Sequence, residues 1–215
     1  MSAAALPQGF RYLPGYFGPD AQAALIADVL GRLPAAPLYR PEMPRTGAKM
    51  SVRMTNFGPL GWVADRDGGY RYQKAHPATG DPWPAIPDAM TALWDDVGGY
   101  RAPPQACLVN YYDAQARLGL HVDADEDAKD APVVSVSLGD EALFRLALAP
   151  GRTGPTVSFR LRSGDVVVLG GSSRACRHGV DRIRPGTSTL LQTYGWGEGG
   201  RINLTLRRVT RPEIA

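Results

Sequence analysis

The second half of the chain is a succession of short apolar segments separated by turn residues, and this pattern constrains the fold most. From Gln105 onward, eight segments have the character of strands, with no helical pattern between them: ACLVNYY, LGLHVD, APVVSVSLG, ALFRLAL, TVSFRLR, DVVVLGG, STLLQTYG and RINLTLRRV. Strands so closely spaced are typical of two packed antiparallel sheets or a barrel. The sequence therefore predicts a mainly β protein, built as a double-sheet jelly roll.

The first hundred residues add two helices and a loop-rich region. Apolar spacing predicts a first helix over Pro19–Leu33 and a second over Pro87–Val97, which a glycine pair would end. Between them, from about Pro34 to Trp83, proline, glycine and aromatic residues are dense, with strand-like pieces near 49–55 and 69–72. We expect the two helices to flank one face of the β-sheets.

Length and composition exclude several classes of protein. The 215 residues suit one domain, which we assign to the whole chain and expect to be a monomer. No apolar run approaches the ~20 residues of a membrane-spanning helix, and the first residues do not have the pattern of a signal peptide, so we expect a cytoplasmic protein. Cys107 and Cys176 form no C-x-x-C motif and are interpreted as buried thiols without a role in chemistry.

Charge is distributed unevenly although the net charge is only +3. Eight acidic residues lie between Asp113 and Glu141, whereas twelve arginines and only three acidic residues lie between Arg145 and Arg211. This pattern is compatible with a polyanionic partner near a site that holds a cation. A solvated arginine-rich surface without a nucleic-acid partner is the alternative interpretation.

Two of the three histidines indicate a metal site. His121 and Asp123 are two residues apart at the end of a predicted strand, so their side chains share one face. His178 follows a later apolar strand and can supply a third ligand from a neighbouring strand. Two histidines and one carboxylate are typical of non-haem Fe(II) oxygenases, although the ligand types also allow zinc, and H-x-D alone also occurs by chance. His76, which precedes a proline, is interpreted as an exposed structural histidine.

The last strand, RINLTLR, alternates strictly between polar and aliphatic residues. Arg201, Asn203 and Arg207 would share one face, and burying two guanidinium groups is costly unless anions meet them. A small dicarboxylate fits this need because each guanidinium can bind one carboxylate. An edge strand with its polar face in water is the alternative. Asn110 and Tyr112 also share one face, on an earlier strand.

In their order, these segments resemble the AlkB family of Fe(II)/2-oxoglutarate-dependent dioxygenases, which demethylate alkylated nucleic acids. The resemblance runs from about Met50 to Arg207 and rests on MSVRMTN, GPLGW, GYRY, DPWPAIP, CLVNYY, LGLHVDADED, APVVSVSLG, GDVVVLGG, RHG and RINLTLR. It implies a double-stranded β-helix, which is a jelly roll, with residues of about 40–83 forming a nucleotide-recognition lid. It also implies Fe(II), the co-substrate 2-oxoglutarate and O₂.

The resemblance implies roles for individual residues. The iron ligands would be His121, Asp123 and His178. 2-Oxoglutarate would contact Asn110, Tyr112, Arg201, Asn203 and Arg207, with a pocket wall formed by Leu108, Ser135 and Phe144. The substrate would contact Trp62, Tyr70, Tyr72 and Asp125. Tyr111 departs from the family pattern, which has a basic residue there. Residues 145–160 show no clear match to the family, and Arg152 is the candidate substrate contact in that segment.

The implied activity is oxidative demethylation of 1-methyladenine and 3-methylcytosine in single- or double-stranded DNA, and also in RNA, with release of formaldehyde, succinate and CO₂. One alternative keeps the iron chemistry but acts on a tRNA, a protein side chain or a small molecule. An alternative of another class is a non-catalytic jelly roll that binds metal or nucleic acid. A complete metal triad beside two arginines argues against the second alternative.

Overall fold

A computed structural model describes residues 5–151, 154–197 and 199–213 of the protein. In these residues the chain forms twelve strands. Their bounds are β1 Phe10–Leu13, β2 Arg53–Phe57, β3 Gly61–Asp65, β4 Gly69–Gln73, β5 Ala106–Tyr112, β6 Leu118–His121, β7 Val133–Gly139, β8 Glu141–Ala147, β9 Thr156–Leu161, β10 Val166–Leu169, β11 His178–Arg184 and β12 Arg201–Arg207.

The strands form two main sheets and a separate hairpin. The larger sheet has the order β1-β10-β7-β12-β5-β2, and the smaller has the order β6-β11-β8-β9. Strands β3 and β4 pair only with each other among the described residues. Every pairing between these strands is antiparallel. The prediction of a mainly β jelly roll with flanking helices is confirmed.

The helices cover the outer face of the larger sheet. They are α1 Pro19–Arg32, α2 Asp88–Leu93 and α3 Leu190–Thr193, and α2 continues as a π-helical turn over Trp94–Gly98. The apolar stripe of α1 packs in one hydrophobic cluster with the even-numbered residues of β12, Ile202, Leu204 and Leu206. Because side chains alternate along a strand, the odd-numbered residues of β12 point to the opposite face, between the sheets. None of the helices in the described ranges is long and apolar enough to cross a membrane.

One predicted strand is wrong, and three strands were not predicted. The segment STLLQTYG contains α3 instead of a strand, and Leu191 is buried against the helix-side core. Its two adjacent leucines do not alternate, and the hydroxyl of Ser188 accepts a hydrogen bond from the backbone N–H of Leu190, which favours a turn. The unpredicted strands are β1, β3 and β11, of which β11 has charged residues that hide its strand pattern.

The two thiols are buried, as predicted. Cys107 and Cys176 are both free and buried. Burial raises the pKa of Cys107 to about 12, so this thiol stays protonated at neutral pH.

His76 is buried rather than exposed, so this prediction is wrong. Only 2% of the residue is accessible, and its Nε2 lies 2.8 Å from the carbonyl oxygen of Pro37. Its ring packs edge-on against Tyr39 and near Trp83, with centroids 5.3 and 5.1 Å away. The proline-rich region therefore folds around this histidine and forms a small core of its own, which sequence periodicity does not reveal.

Candidate active site

His121, Asp123 and His178 converge on one point between the sheets. His121 ends β6 and His178 begins β11, and these two residues face each other directly in the register of the strands. One ligand atom from each of the three residues lies within 4.8 Å of the others. The Nε2 atoms of His121 and His178 lie 3.5 and 3.4 Å from the two carboxylate oxygens of Asp123. This group can hold a divalent metal ion.

The backbone orients both imidazole rings toward that point. Nδ1 of His121 lies 2.8 Å from the carbonyl oxygen of Gly119, and Nδ1 of His178 lies 3.2 Å from that of Cys176. A hydrogen bond from Nδ1–H to a carbonyl leaves the lone pair of Nε2 free for a metal. Gly179 allows strands β6 and β11 to approach each other closely, since a Cβ at this position would lie 2.5 Å from the carbonyl oxygen of Leu118.

The electrostatics of the triad suit a cation. Burial of Asp123 would raise the pKa of its carboxyl group, but Arg207 and the two histidines outweigh burial and hold it well below its usual range. Asp123 is thus an anion at neutral pH. Its buried Oδ2 accepts no hydrogen bond from the described residues, because Nε2 of His178, 3.4 Å away, presents a lone pair when Nδ1 carries the proton. A buried carboxylate oxygen without a donor fits coordination of a metal ion.

Arg201 is a buried cation that could bind an anionic co-substrate. It is fully buried in the central strand β12, so the alternative of an edge strand with a solvated polar face is excluded. Its Nη2 donates to the hydroxyl of Ser137 at 2.6 Å, whereas its Nε and Nη1 have no acceptor in the described part of the chain. Burial lowers the pKa of Arg201 to about 10, so it is still charged at neutral pH. A carboxylate would satisfy this buried charge.

The polar residues predicted beside Arg201 come from neighbouring strands in register. Tyr112 lies opposite Arg201, and Asn110 lies opposite Asn203. Nδ2 of Asn203 donates to the hydroxyl of Ser135 at 2.7 Å, which fixes the orientation of this amide. Burial raises the pKa of Tyr112 to about 12, so its hydroxyl stays a potential donor. The five predicted co-substrate residues thus occupy one inner face of the larger sheet.

Arg207 lies closer to the metal ligands than Arg201 does. Its Nη2 donates to Oδ1 of Asp123 at 2.6 Å, and its Nη1 donates to Oε1 of Glu126 at 2.8 Å and to the Tyr72 hydroxyl at 3.1 Å. Burial would lower the pKa of Arg207, but the two carboxylates outweigh it and raise this pKa. Its Nε has no acceptor in the described ranges and can donate to a ligand.

A cavity of about 500 Å³ joins the metal ligands to the predicted lid. Its lining includes His121, Asp123, Asn110 and Arg207, and also Trp62, Tyr70 and Asp125. Of the residues predicted for the pocket wall, Leu108 lines this cavity, and the ring of Phe144 lies 6.0 Å from that of His178. The volume is within the range of small-molecule sites.

The hairpin β3–β4 positions the aromatic residues of the lid. Trp62 lies opposite Tyr72, and its ring stacks on that of Tyr70 with centroids 5.6 Å apart and planes at 19°. The indole Nε1–H of Trp62 donates to Oδ2 of Asp125 at 2.7 Å. Tyr72 differs from Tyr70, because its hydroxyl turns inward to Glu126 and Arg207.

Sequence reasoning missed three residues that hold this arrangement. Glu126 and Arg174 are buried and form an ion pair of 2.7 Å. Asn56, fully buried, holds the backbone of Trp62 by accepting from its N–H at 3.0 Å and donating to its carbonyl at 2.9 Å. Asn56 ends the segment MSVRMTN on which the family resemblance rests, and this could have indicated it, whereas the sequence shows Glu126 only as one acid in an acidic run.

Two further predictions concern residues away from the cavity. The hydroxyl of Tyr111, the residue that departs from the family pattern, donates to the carbonyl of Gly199 on the helix side of the sheet. The departure therefore does not alter the co-substrate face. Arg152 lies outside the described residues.

Comparison with known proteins agrees with this geometry. Residues 9–207 match the model of the 2OG-Fe(II) oxygenase superfamily. The chain is 49% identical, over 93% of its length and 87% of the relative's, to the Alpha-ketoglutarate-dependent dioxygenase AlkB homolog of Caulobacter vibrioides. The chain belongs to the AlkB family of Fe(II)/2-oxoglutarate-dependent dioxygenases.

Two other relatives extend the comparison. Identity to Alpha-ketoglutarate-dependent dioxygenase AlkB of Escherichia coli is 38%, over 92% of this chain and 89% of that one. The solved structure of OsALKBH1 superposes with a TM-score of 0.77 at 31% identity and covers 95% of this chain and 100% of that chain. Membership in the AlkB family implies Fe(II) and 2-oxoglutarate. The two imidazoles and the carboxylate of the triad fit the metal, and the Arg201 nitrogens without an acceptor among the described residues fit the co-substrate.

Proposed function

We propose that this AlkB-family enzyme demethylates 1-methyladenine and 3-methylcytosine in DNA, and also in RNA, consuming 2-oxoglutarate and O₂ and releasing formaldehyde, succinate and CO₂. The observation that carries the proposal is that the metal ligands His121 and Asp123 line the same cavity as Trp62 and Asp125. A base held by the aromatic hairpin would therefore lie in the cavity that the metal ligands also line.

The protein would bind each reactant with a separate set of residues. His121, Asp123 and His178 would hold Fe(II), and Arg201, Asn203, Asn110, Tyr112 and Arg207 would bind 2-oxoglutarate. Fe(II) and 2-oxoglutarate, when bound, would allow O₂ to hydroxylate the N-methyl group of the base. The resulting hydroxymethyl group would leave the base as formaldehyde. The cavity's apolar residues would exclude bulk water from the reaction.

The hairpin favours a cationic base. Methylation of a ring nitrogen leaves adenine or cytosine positively charged and weakens its base pairing, so the base is easier to extrude from a helix. Stacking such a ring on Trp62 gains a cation–π interaction of about 0.5–2 kcal/mol. The carboxylate of Asp125, at the edge of the Trp62 ring, adds attraction for positive charge. Neutral bases gain neither interaction.

Formaldehyde release from methylated single-stranded DNA tests this function. We expect the enzyme with Fe(II), 2-oxoglutarate and ascorbate to release formaldehyde from oligonucleotides with 1-methyladenine, and also from the RNA equivalent, but not from unmethylated DNA. Trp62→Ala should lower demethylation about tenfold, because stacking is worth about 1–3 kcal/mol per base, and should leave succinate formation without DNA unchanged. Equal loss of both activities would contradict a stacking role. Succinate formation that no methylated oligonucleotide accelerates would instead favour a protein or small-molecule substrate.

The outer face of the smaller sheet would bind the phosphate backbone. Side chains on this face come from three strands and their ends, and five of them are arginines: Arg145, Arg160, Arg162, Arg182 and Arg184. Glu141 lies within 4.0 Å of Arg160, Arg162 and Arg184, so one carboxylate faces three guanidinium groups. This excess of positive charge complements a polyanion. All five arginines belong to the arginine-rich C-terminal third of the chain.

Removing two of these arginines should weaken binding in a way that depends on salt. Arg160→Ser combined with Arg162→Ser should reduce the slope of log affinity for a 20-nucleotide single strand against log salt by about 1.4, which is about 0.7 for each lost phosphate contact. The slope is measured by fluorescence anisotropy. A control that removes two arginines from the helix side, Arg32→Ser with Arg101→Ser, has the same net charge and should keep the slope. Equal slopes for the two double variants would exclude this surface.

A further inference from the structure

A buried carboxylate lies between the lid, the co-substrate arginine and the metal ligands. The side chain of Glu126 is 0% exposed. Its Oε1 accepts hydrogen bonds from Nη1 of Arg207 at 2.8 Å and from the hydroxyl of Tyr72, and its Oε2 accepts from Nη2 of Arg174 at 2.7 Å. Because both oxygens are occupied by donors from separate parts of the chain, Glu126 cannot shift without breaking a buried interaction.

One branch of this network leads to the metal site. Arg207 uses one nitrogen for Glu126 and the other for Oδ1 of Asp123, at 2.6 Å. Arg174 also donates to the backbone carbonyl of Asp123. Together with Asp123 and Tyr72, Glu126 thus fixes the guanidinium of Arg207 beside the face that would bind the co-substrate.

The other branch of the network leads to the aromatic hairpin that would bind the substrate. Tyr72 lies opposite Trp62 in the hairpin β3–β4. Trp62 is bound by Asp125, the residue just before Glu126. The segment 123–126 therefore contains the proposed metal ligand Asp123 and two acids that accept hydrogen bonds from the hairpin. Asp125 accepts from Trp62, and Glu126 accepts from Tyr72, the residue that faces Trp62.

We propose, on the basis of the proposed function, that Glu126 is a positioning residue that couples the hairpin to the co-substrate site, so that a methylated base and 2-oxoglutarate raise each other's affinity. Coupling between two sites is reciprocal in equilibrium binding, so it can be measured from either ligand. The contacts that carry it are Tyr72 to Glu126 and Glu126 to Arg207. Loss of either contact should remove the coupling even where each ligand still binds.

The test measures binding of a five-nucleotide DNA with one 1-methyladenine to the Fe(II)-loaded enzyme under anaerobic conditions, with and without saturating 2-oxoglutarate. We expect 2-oxoglutarate to tighten binding of the oligonucleotide by the unaltered protein about fivefold or more, within the usual range for coupled sites. In Tyr72→Phe and in Glu126→Gln this ratio should fall to about 1. The double variant should show no further loss, because both residues act in one pathway.

A second tyrosine–carboxylate pair supplies a matched control. The hydroxyl of Tyr16 donates to Asp96 at 2.6 Å, and neither residue lines the cavity. Tyr16→Phe and Asp96→Asn make the same chemical changes away from the cavity and should keep the ratio of the unaltered protein. Melting temperatures of all variants identify those that lose stability, and Tyr72→Phe, which removes one oxygen, tests the coupling if Glu126→Gln fails to fold.

The outcomes separate this inference from the proposed function. A ratio near 1 in the unaltered protein, or a ratio retained in Tyr72→Phe, would overturn the coupling role while methylated DNA is still bound and demethylated. Failure of the unaltered protein to bind methylated DNA more tightly than unmethylated DNA would instead reject the proposed function, and the inference with it.

Discussion

Asp123→Ala is expected to lower formaldehyde release from methylated DNA about a thousandfold or more, since the metal supplies the oxidising chemistry. The change removes the carboxylate that lies within 3.5 Å of both imidazole Nε2 atoms. Two histidines alone leave the ion with too few protein ligands to be held in place. Formaldehyde release and bound iron are measured on the same preparations.

A second buried histidine gives the control for this result. His76→Gln also alters a buried ring, but one that is bound to Pro37 and belongs neither to the triad nor to the cavity lining, so this variant should keep its iron. An Asp123→Ala protein that released formaldehyde at the rate of the unaltered enzyme would show that the iron ligands are assigned incorrectly.

Arg201→Met should raise the KM for 2-oxoglutarate about 100-fold, because a charge-assisted contact is worth up to about 3 kcal/mol and each 1.4 kcal/mol is about tenfold. The same change should leave the melting temperature of the ligand-free protein unchanged or higher. Two of the three guanidinium nitrogens have no acceptor among the described residues, so the buried charge is only partly compensated. An apolar side chain of similar volume removes this cost.

Thermal shifts separate the two effects. In the unaltered protein, 2-oxoglutarate at about 100 times its Kd should add about 2.7 kcal/mol of stability, and in Arg201→Met this gain should be lost at the same concentration. Arg32→Met, on the surface of α1, should keep the full ligand-induced shift. A normal shift in Arg201→Met would mean that Arg201 does not bind the co-substrate.

Features with a short-range periodic signal could be predicted from the sequence. The alternation in RINLTLR correctly separated the helix-side residues Ile202 and Leu204 from Arg201 and Asn203 between the sheets, because side-chain direction in a strand depends only on parity. His121 and Asp123 meet at the end of β6 although Asp123 lies just beyond the strand, and the structure brings His178 to them as expected.

Features that depend on long-range contacts could not be predicted in this way. Glu126 belongs to a run of acids that resembles a solvated surface, and only the folded chain shows Arg174 and Arg207 beside it. His76 has a polar side chain next to a proline, so local sequence favours exposure, whereas packing against Tyr39 and Trp83 buries it. In both cases the deciding neighbours are distant in sequence.

The strand that carries His121 is four residues long and lies at the edge of the smaller sheet, where β11 is its one partner strand within the described ranges. Edge strands that are this short open more readily than central ones, because few backbone hydrogen bonds hold them. A metal ion bound by both His121 and His178 would link β6 to β11 and so stabilise this edge strand. Loss of the ion would then require only local opening of this edge strand, whereas β12, which carries Arg201 and Arg207, stays fixed in the middle of the other sheet.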